Sequence, residues 1–278
     1  MLEAVCYADV FDWPLTPAEV HRYLPVAAPV SAVVTALRSP RLRSKLDQGD
    51  GLVALAGRGD LFRSRRLRGA ESERQMPRAV RAARAVAALP FVRFVAISGS
   101  LAVGASAQRS DVDLFVVTED RRLWITRALS IGVVRVGAAA GLDLCPNYFL
   151  AESALEIPDR DLFTAHELVQ LVPIAGAATY EALLARNAWV RDFLPNATPR
   201  SVPAEPRGMP VTALAERLLR AAVIDRIERW EMGRKVARFT AGEASEELRF
   251  TETACKGHFE GHRLRALDAY HGRVARFA

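Results

Sequence analysis

The sequence predicts an α+β protein made of three regions. Residues 1–86 show three short helical patterns followed by a strand–turn–strand pattern. Residues 87–160 alternate between strand and helix patterns, which is typical of a sheet covered by helices. Residues 161–278 show helical patterns apart from one Pro-rich loop, which predicts a helical C-terminal region.

The composition is that of an ordinary globular chain. It has 278 residues, half of them hydrophobic, and a formal net charge of +6. No apolar run is long enough to span a membrane, and the N-terminus lacks the pattern of a secretory signal. The cysteines, Cys6, Cys145 and Cys255, are far apart and odd in number, which argues against a disulfide framework. We therefore expect a cytoplasmic protein, whose basic character permits polyanionic partners.

The first region has the element order of a winged helix. An apolar-periodic helix over Leu2–Phe11 is followed by a second helix, in which Thr16 and Glu19 form a capping box around Pro17 at the first helical position. The segment "SAVVTALRS" predicts a third helix, and "KLDQGDGLVALAG" predicts a hairpin with its turn at "QGDG". A long helix, from about residue 73 to residue 89, leads out of this module.

A winged helix raises the alternative of DNA binding. The helix in the recognition position carries only Arg38 as a charged residue, whereas helices that read DNA carry several polar or basic residues. We therefore favour a scaffold or protein-contact role for the module. The cluster of Arg63, Arg65, Arg66 and Arg68 beyond the hairpin keeps a nucleic-acid partner open as the alternative.

The second region contains two aspartates in an apolar strand. "VRFVAISG" predicts a strand, "LAVGAS" a helical turn, "DVDLFVV" a second strand, and "LDLCPNYFL" a third strand after a long helix. Asp111 and Asp113 project from the same face because side chains alternate along a strand. Two carboxylates that close repel each other unless a cation lies between them, and Mg²⁺ (or Mn²⁺) suits such oxygen ligands.

The turn before this strand has the features of a phosphate site. Gly99 lets a ligand approach the main chain closely, and Ser100 offers a hydroxyl and an N–H group. A phosphate at the start of the following short helix is also favoured by the helix dipole. The sequence thus predicts a triphosphate held by the Gly-Ser turn and a metal held by the aspartate strand.

This combination of motifs resembles the signature of the nucleotidyltransferase superfamily, whose fold is that of polymerase β. The resemblance covers the core from Phe94 to Phe149, and the matching residues are Gly99, Ser100, Ala102, Gly104, Ser110, Asp111, Asp113 and Leu114. It implies a two-metal site completed by a third carboxylate, for which Asp143 is the candidate. It also implies that Gly104 and Ser110 join Gly99 and Ser100 in binding the nucleotide.

The resemblance implies an enzyme that moves a nucleoside monophosphate from an NTP to a hydroxyl or similar acceptor and releases pyrophosphate. A small-molecule acceptor is favoured, with RNA and protein acceptors left open. The alternative is a nucleic-acid-binding regulator whose nucleotidyltransferase-like domain senses a nucleotide. The retained carboxylates favour the enzyme, because a sensor could lose them without penalty.

The third region offers weaker signals. Thr164 and Glu167 form a second capping box, which predicts the start of a helix. "NATPRSVPAEPRGMP" predicts an exposed loop, and "TALAERLLRAAVIDRIERWEMGRKVARF" predicts one long helix before a final helix. Cys255, His258 and His262 have the spacing of metal ligands, but no fourth ligand is evident nearby.

Overall fold

The computed structural model confirms the α+β class. It describes residues 1–108, 110–203, 210–220, 222–240, 249–256 and 261–277. Among the helices of these ranges, none has both the length and the apolar composition that crossing a bilayer requires.

The N-terminal module contains the predicted three helices and hairpin, with one additional helical turn. Its elements are α1 (Leu2–Asp9), α2 (Pro17–Arg22), α3 (Val30–Leu37), α4 (Pro40–Arg43), β1 (Leu46–Gly49) and β2 (Leu52–Leu55). The capping box is confirmed: the Glu19 N–H donates to Thr16 Oγ1 at 3.2 Å, and the Thr16 N–H donates to Glu19 Oε2 at 2.8 Å. Asp50 and Gly51 both have positive φ, 56° and 73°, as a two-residue type I′ hairpin turn requires.

The long helix α5 spans Leu61–Ala87 and begins well before the predicted start at residue 73. Its first turns hold the arginine-rich segment, and Arg65, Arg66 and Arg68 contact the N-terminal module. Arg65 donates to Glu19 Oε1 at 2.9 Å and to the Pro14 carbonyl at 3.1 Å, and Arg66 pairs with Asp50. These contacts hold the segment against the module.

The remaining elements follow in chain order. They are β3 (Val92–Ile97), α6 (Gly99–Ala102), β4 (Val112–Thr118), α7 (Leu123–Ala139), β5 (Leu144–Ala151), a 3₁₀ turn (Glu152–Ala154), α8 (Leu162–Gln170), β6 (Val172–Ala175), α9 (Ala177–Arg186), α10 (Val190–Phe193), α11 (Pro210–Leu218), α12 (Ala222–Thr240), β7 (Arg249–Phe250), β8 (Ala254–Lys256) and α13 (His262–Phe277).

The central sheet is mixed and has the strand order β6-β3-β4-β5-β8-β7. Strands β4 and β5 are parallel, and the other neighbours are antiparallel. The prediction of an all-helical C-terminal region is therefore wrong, since β6, β7 and β8 all belong to it. These strands are only two to four residues long. They form because β6 covers the open edge of β3 and β8 covers the open edge of β5, and such long-range pairing leaves no local periodicity to detect.

Two layers of helices cover the sheet. On the first face, Val112, Leu114 and Val116 of β4 pack in a core with α5 and α7. On the second face, Phe115 and Val117 pack in a core with α8 and α9. Strand alternation thus places Asp113 on the second face, at the end of the core that α8 covers.

Two predicted helix boundaries in the C-terminal region are wrong. Helix α8 is capped by Asp161, whose carboxylate accepts the Thr164 N–H at 2.9 Å, so Thr164 lies inside the first turn. The long helix predicted after the loop is two helices, because each is anchored separately. Glu216 of α11 accepts the Phe91 N–H at 2.8 Å, whereas Glu228 of α12 accepts backbone N–H groups at the start of α7.

The C-terminal helix α13, which confirms the predicted final helix, packs on the N-terminal module. Arg273 donates to Asp9 Oδ2 at 2.6 Å, and Lys45 donates to the Phe277 carbonyl at 2.7 Å. The predicted loop is described as far as residue 203 and has neither helix nor strand over residues 198–203, while its continuation over 204–209 lies outside the described residues.

Candidate functional site

The site is built where β3 ends, α6 begins and β4 enters the sheet. The Ser98 N–H donates to the Asp113 carbonyl at 2.9 Å, which joins the Gly-Ser turn to the aspartate strand. Gly99 has φ +64°, and a Cβ there would lie 3.0 Å from Asp113 Cγ and collide with the carboxylate. The close approach predicted at Gly99 is thus made, in this structure, by the carboxylate of Asp113.

Asp113 is a largely buried carboxylate, and both its burial and neighbouring carboxylates disfavour its charged form. Burial, followed by the charges of Asp111 and Glu167, raises its pKa to about 6, although the Asn147 side chain donates to Asp113 Oδ1 at 2.8 Å and opposes the shift. A carboxylate in this state gains from a bound cation more than an exposed one does. Its oxygen donors and those of Asp111 fit the ligand chemistry of Mg²⁺.

Sequence reasoning missed Asn147 and Glu167. Leu114 pairs with Pro146 and Phe115 with Tyr148, so Asn147 is the extra residue of a β-bulge in β5. The only signal for it was a polar residue in an otherwise apolar strand. Glu167 reaches the site from α8, and nothing in the sequence connects that helix with β4.

The strand that follows Asp143 lies beside the aspartate strand, as predicted. Val112 pairs with Leu144 in parallel, and the Val112 N–H donates to the Asp143 carbonyl at 2.8 Å. Asp111 and Asp143 therefore immediately precede adjacent strands, and both are exposed. Within the described ranges, however, no three His, Cys, Asp or Glu side chains form a group that could hold a metal ion. The three-carboxylate metal site stays a prediction.

The residues assigned to nucleotide binding lie in different places. Gly99 and Ser100 line a cavity together with Asp113. Gly104, with φ +77°, lines an open groove between α5 and α6 that shares Trp13, Val103 and Arg200 with this cavity. The hydroxyl of Ser110 accepts the Ala107 N–H at 2.9 Å and closes the loop before β4. In this structure Gly99 and Ser100 are thus brought to Asp113, whereas Gly104 and Ser110 shape the connection between them.

The cavity has a volume of about 570 Å³ and lies between the N-terminal module, the Gly-Ser turn and α8. One face of α8 contributes Phe163, His166, Glu167 and Gln170, which are spaced three and four residues apart along the helix. Helix α1 and the segment after it contribute aromatic side chains from the opposite side. The N-terminal module therefore forms one wall of the candidate site.

Most of the arginines that suggested nucleic-acid binding form bonds within the protein. Arg65 and Arg66 pair with carboxylates, and Arg68 donates to the Ala105 carbonyl at 2.9 Å. Helix α3 exposes Val30 and Val34, with exposed fractions of 51% and 40%, where a reading helix presents polar side chains.

Within the described residues, Cys255 and His262 of the possible C-terminal metal site have other partners. Cys255 is buried in β8 and paired with Phe149 in the sheet. His262 packs edge-on against Phe11 and Phe163. His258 lies outside the described residues.

No family model matches this chain, and no curated protein and no solved structure matches it. The resemblance to the nucleotidyltransferase superfamily therefore rests on the residues of the Gly-Ser turn and the aspartate strand.

Proposed function

We propose that this protein is a cytoplasmic nucleotidyltransferase that moves a nucleoside monophosphate from an NTP to a small-molecule hydroxyl. The single observation that supports this most is the largely buried Asp113, which lies against the Gly99 turn under repulsion from Asp111 and Glu167. A carboxylate held in this way suits a site that gathers a metal and a polyphosphate.

Each residue of the site would have a distinct role. Asp111, Asp113 and Asp143 would hold Mg²⁺, which neutralises phosphate charge and lowers the pKa of an attacking hydroxyl when it is bound. Asn147 keeps the Asp113 carboxylate oriented. The turn at Gly99 and Ser100 would receive the triphosphate. The acceptor oxygen forms a bond to the α-phosphorus, the bond to pyrophosphate breaks, and the hydroxyl proton passes to Asp143.

The size of the cavity supports a small-molecule acceptor. A volume of about 570 Å³ lies within the usual range for sites that enclose small ligands. An RNA acceptor is less favoured, because the arginines at the start of α5 that suggested it are bound to partners of their own.

The test is a pyrophosphate-release assay with each of the four NTPs, Mg²⁺ or Mn²⁺, and a small-molecule cell extract as the acceptor source. We expect release with at least one NTP, and a loss of at least a hundredfold in Asp111→Asn and Asp113→Asn. The matched control is Asp120→Asn, because Asp120 follows the opposite end of the same strand and accepts the Ser153 N–H. NTP binding without release under any condition would overturn the enzyme and favour the nucleotide-sensing regulator.

A further inference from the structure

The cavity has a basic wall that the proposed chemistry does not use. Arg22 of α2 and Arg200, from the segment after α10, both line it. The Arg22 guanidinium donates to the Val169 carbonyl at 2.7 Å, and that of Arg200 donates to the Ala102 carbonyl at 3.0 Å. These bonds hold both groups in place but do not neutralise their charge.

Neither guanidinium forms an ion pair with any carboxylate of the described residues. Other arginines of the protein do so, as Arg65 does with Glu19 and Arg93 with Glu216. Arg200 is an exposed residue, but desolvation of its guanidinium, followed by the charge of Arg22, lowers its pKa. Two like charges that share a cavity wall are stabilised by an anion placed between them.

Aromatic side chains lie next to these arginines. The ring of Tyr7 stacks on His166 with centroids 3.8 Å apart, and Tyr23 lies 4.6 Å from the same imidazole. Burial, followed by the charge of Arg22, lowers the pKa of His166 to about 3, so this histidine is neutral. The aromatic surface therefore offers contact area for a flat or apolar group without adding charge.

Three acidic residues also line the cavity. Glu19 is paired with Arg65, whereas Asp113 and Glu167 face the cavity from β4 and α8. A metal-bound NTP suits the part of the cavity at Asp113, because its cation meets the carboxylates. The basic wall is then left for the second substrate. A polycationic acceptor would be repelled by this wall, whereas an anionic one would be attracted.

We propose that the acceptor is a small molecule with a phosphate or carboxylate group, which Arg22 and Arg200 bind while its apolar or aromatic body lies against Tyr7 and Tyr23. The assignment of this ligand as the acceptor rests on the proposed function. The binding of an aromatic anion in the cavity is independent of it.

The test is calorimetric titration of the full chain with phenyl phosphate, benzoate and benzylamine at pH 7.5 in the presence of Mg²⁺. We expect both anions to bind with one-to-one stoichiometry, and Arg22→Gln or Arg200→Gln to weaken phenyl phosphate binding at least tenfold. Arg22→Lys, which keeps the charge, should retain part of the affinity. The control pair is Arg41→Gln and Arg43→Gln on the exposed helix α4, where we expect a change of less than twofold.

Three results would overturn the anion site: no binding of either anion, tighter binding of benzylamine than of both anions, or unchanged phenyl phosphate binding in folded Arg22→Gln and Arg200→Gln variants. A parallel titration with a non-hydrolysable NTP separates the two proposals. We expect NTP affinity in these variants to stay within twofold of the parent. A matching loss of NTP affinity would assign the arginines to the triphosphate and overturn the acceptor role. A parent that binds the anions but no NTP would instead overturn the proposed function.

Discussion

Replacing Asp113 by asparagine should make the metal-free protein more stable at neutral pH. Burial and neighbouring carboxylates raise the pKa of Asp113 from 3.8 to about 6, so the folded protein holds this proton more tightly than the unfolded chain does. Below about pH 4 the group is protonated in both states and carries no penalty. Between about pH 4 and 6 stability falls, and above this window the penalty is complete.

The size of the effect follows from the shift. About two pKa units correspond to about 3 kcal/mol, and because the side chain keeps some contact with solvent we expect about 1–2 kcal/mol. Asparagine has the same shape and can accept the same hydrogen bond from Asn147. For a chain of this size the gain corresponds to a rise in Tm of about 2–4 °C.

The assay is thermal unfolding of the metal-free protein and Asp113→Asn at pH 7.5 and pH 4, with Asp120→Asn as the control. We expect the stabilisation at pH 7.5 to disappear at pH 4 and the control to show no gain at either pH. An equal gain at both pH values would refute the electrostatic reasoning, and so would a loss of stability at pH 7.5.

Three further predictions test neighbouring parts of the structure. Gly99→Ala should abolish NTP binding, since its Cβ displaces the Asp113 carboxylate, whereas Gly51→Ala, with similar strain and open space around it, should leave NTP affinity unchanged in the same titration. Asp143→Asn should keep NTP binding but lose most turnover in the pyrophosphate-release assay; full activity would remove it from the site. Glu228→Ala should lower the free energy of unfolding by about 2–3 kcal/mol in urea denaturation, because it removes two hydrogen bonds from the start of α7; a loss below 0.5 kcal/mol would contradict this.

The parts of the fold that local signals govern could be predicted from the sequence. The capping box at Thr16 and the turn at Asp50 and Gly51 are short-range features whose residue types fix the backbone. The three strands around the Gly-Ser turn were also predicted, because their apolar runs are strong. At α8 the sequence offers two residues that could cap the helix, Asp161 and Thr164. Asp161 is the cap, so Leu162 and Phe163 lie in the first turn.

The parts that long-range contacts govern could not be predicted. Strands β6 and β8 form only because open edges of the sheet are available to them. Asn147 reaches Asp113 through a bulge that shifts the register of β5, and Glu167 reaches it from a helix far along the chain. The sequence motif thus located Asp111 and Asp113, whereas the cavity around them depends on how three regions pack.

The most direct measurement of the central claim follows the fate of each phosphate of the NTP. The protein is incubated with Mg²⁺, a small-molecule cell extract and an NTP labelled at either the α- or the γ-phosphate, and the products are separated and identified by mass. The account predicts that α-label enters a new product, that γ-label appears in pyrophosphate, and that Asp113→Asn shows neither. Transfer of the γ-label to the product would contradict the account, as would transfer of the α-label that persists in Asp113→Asn.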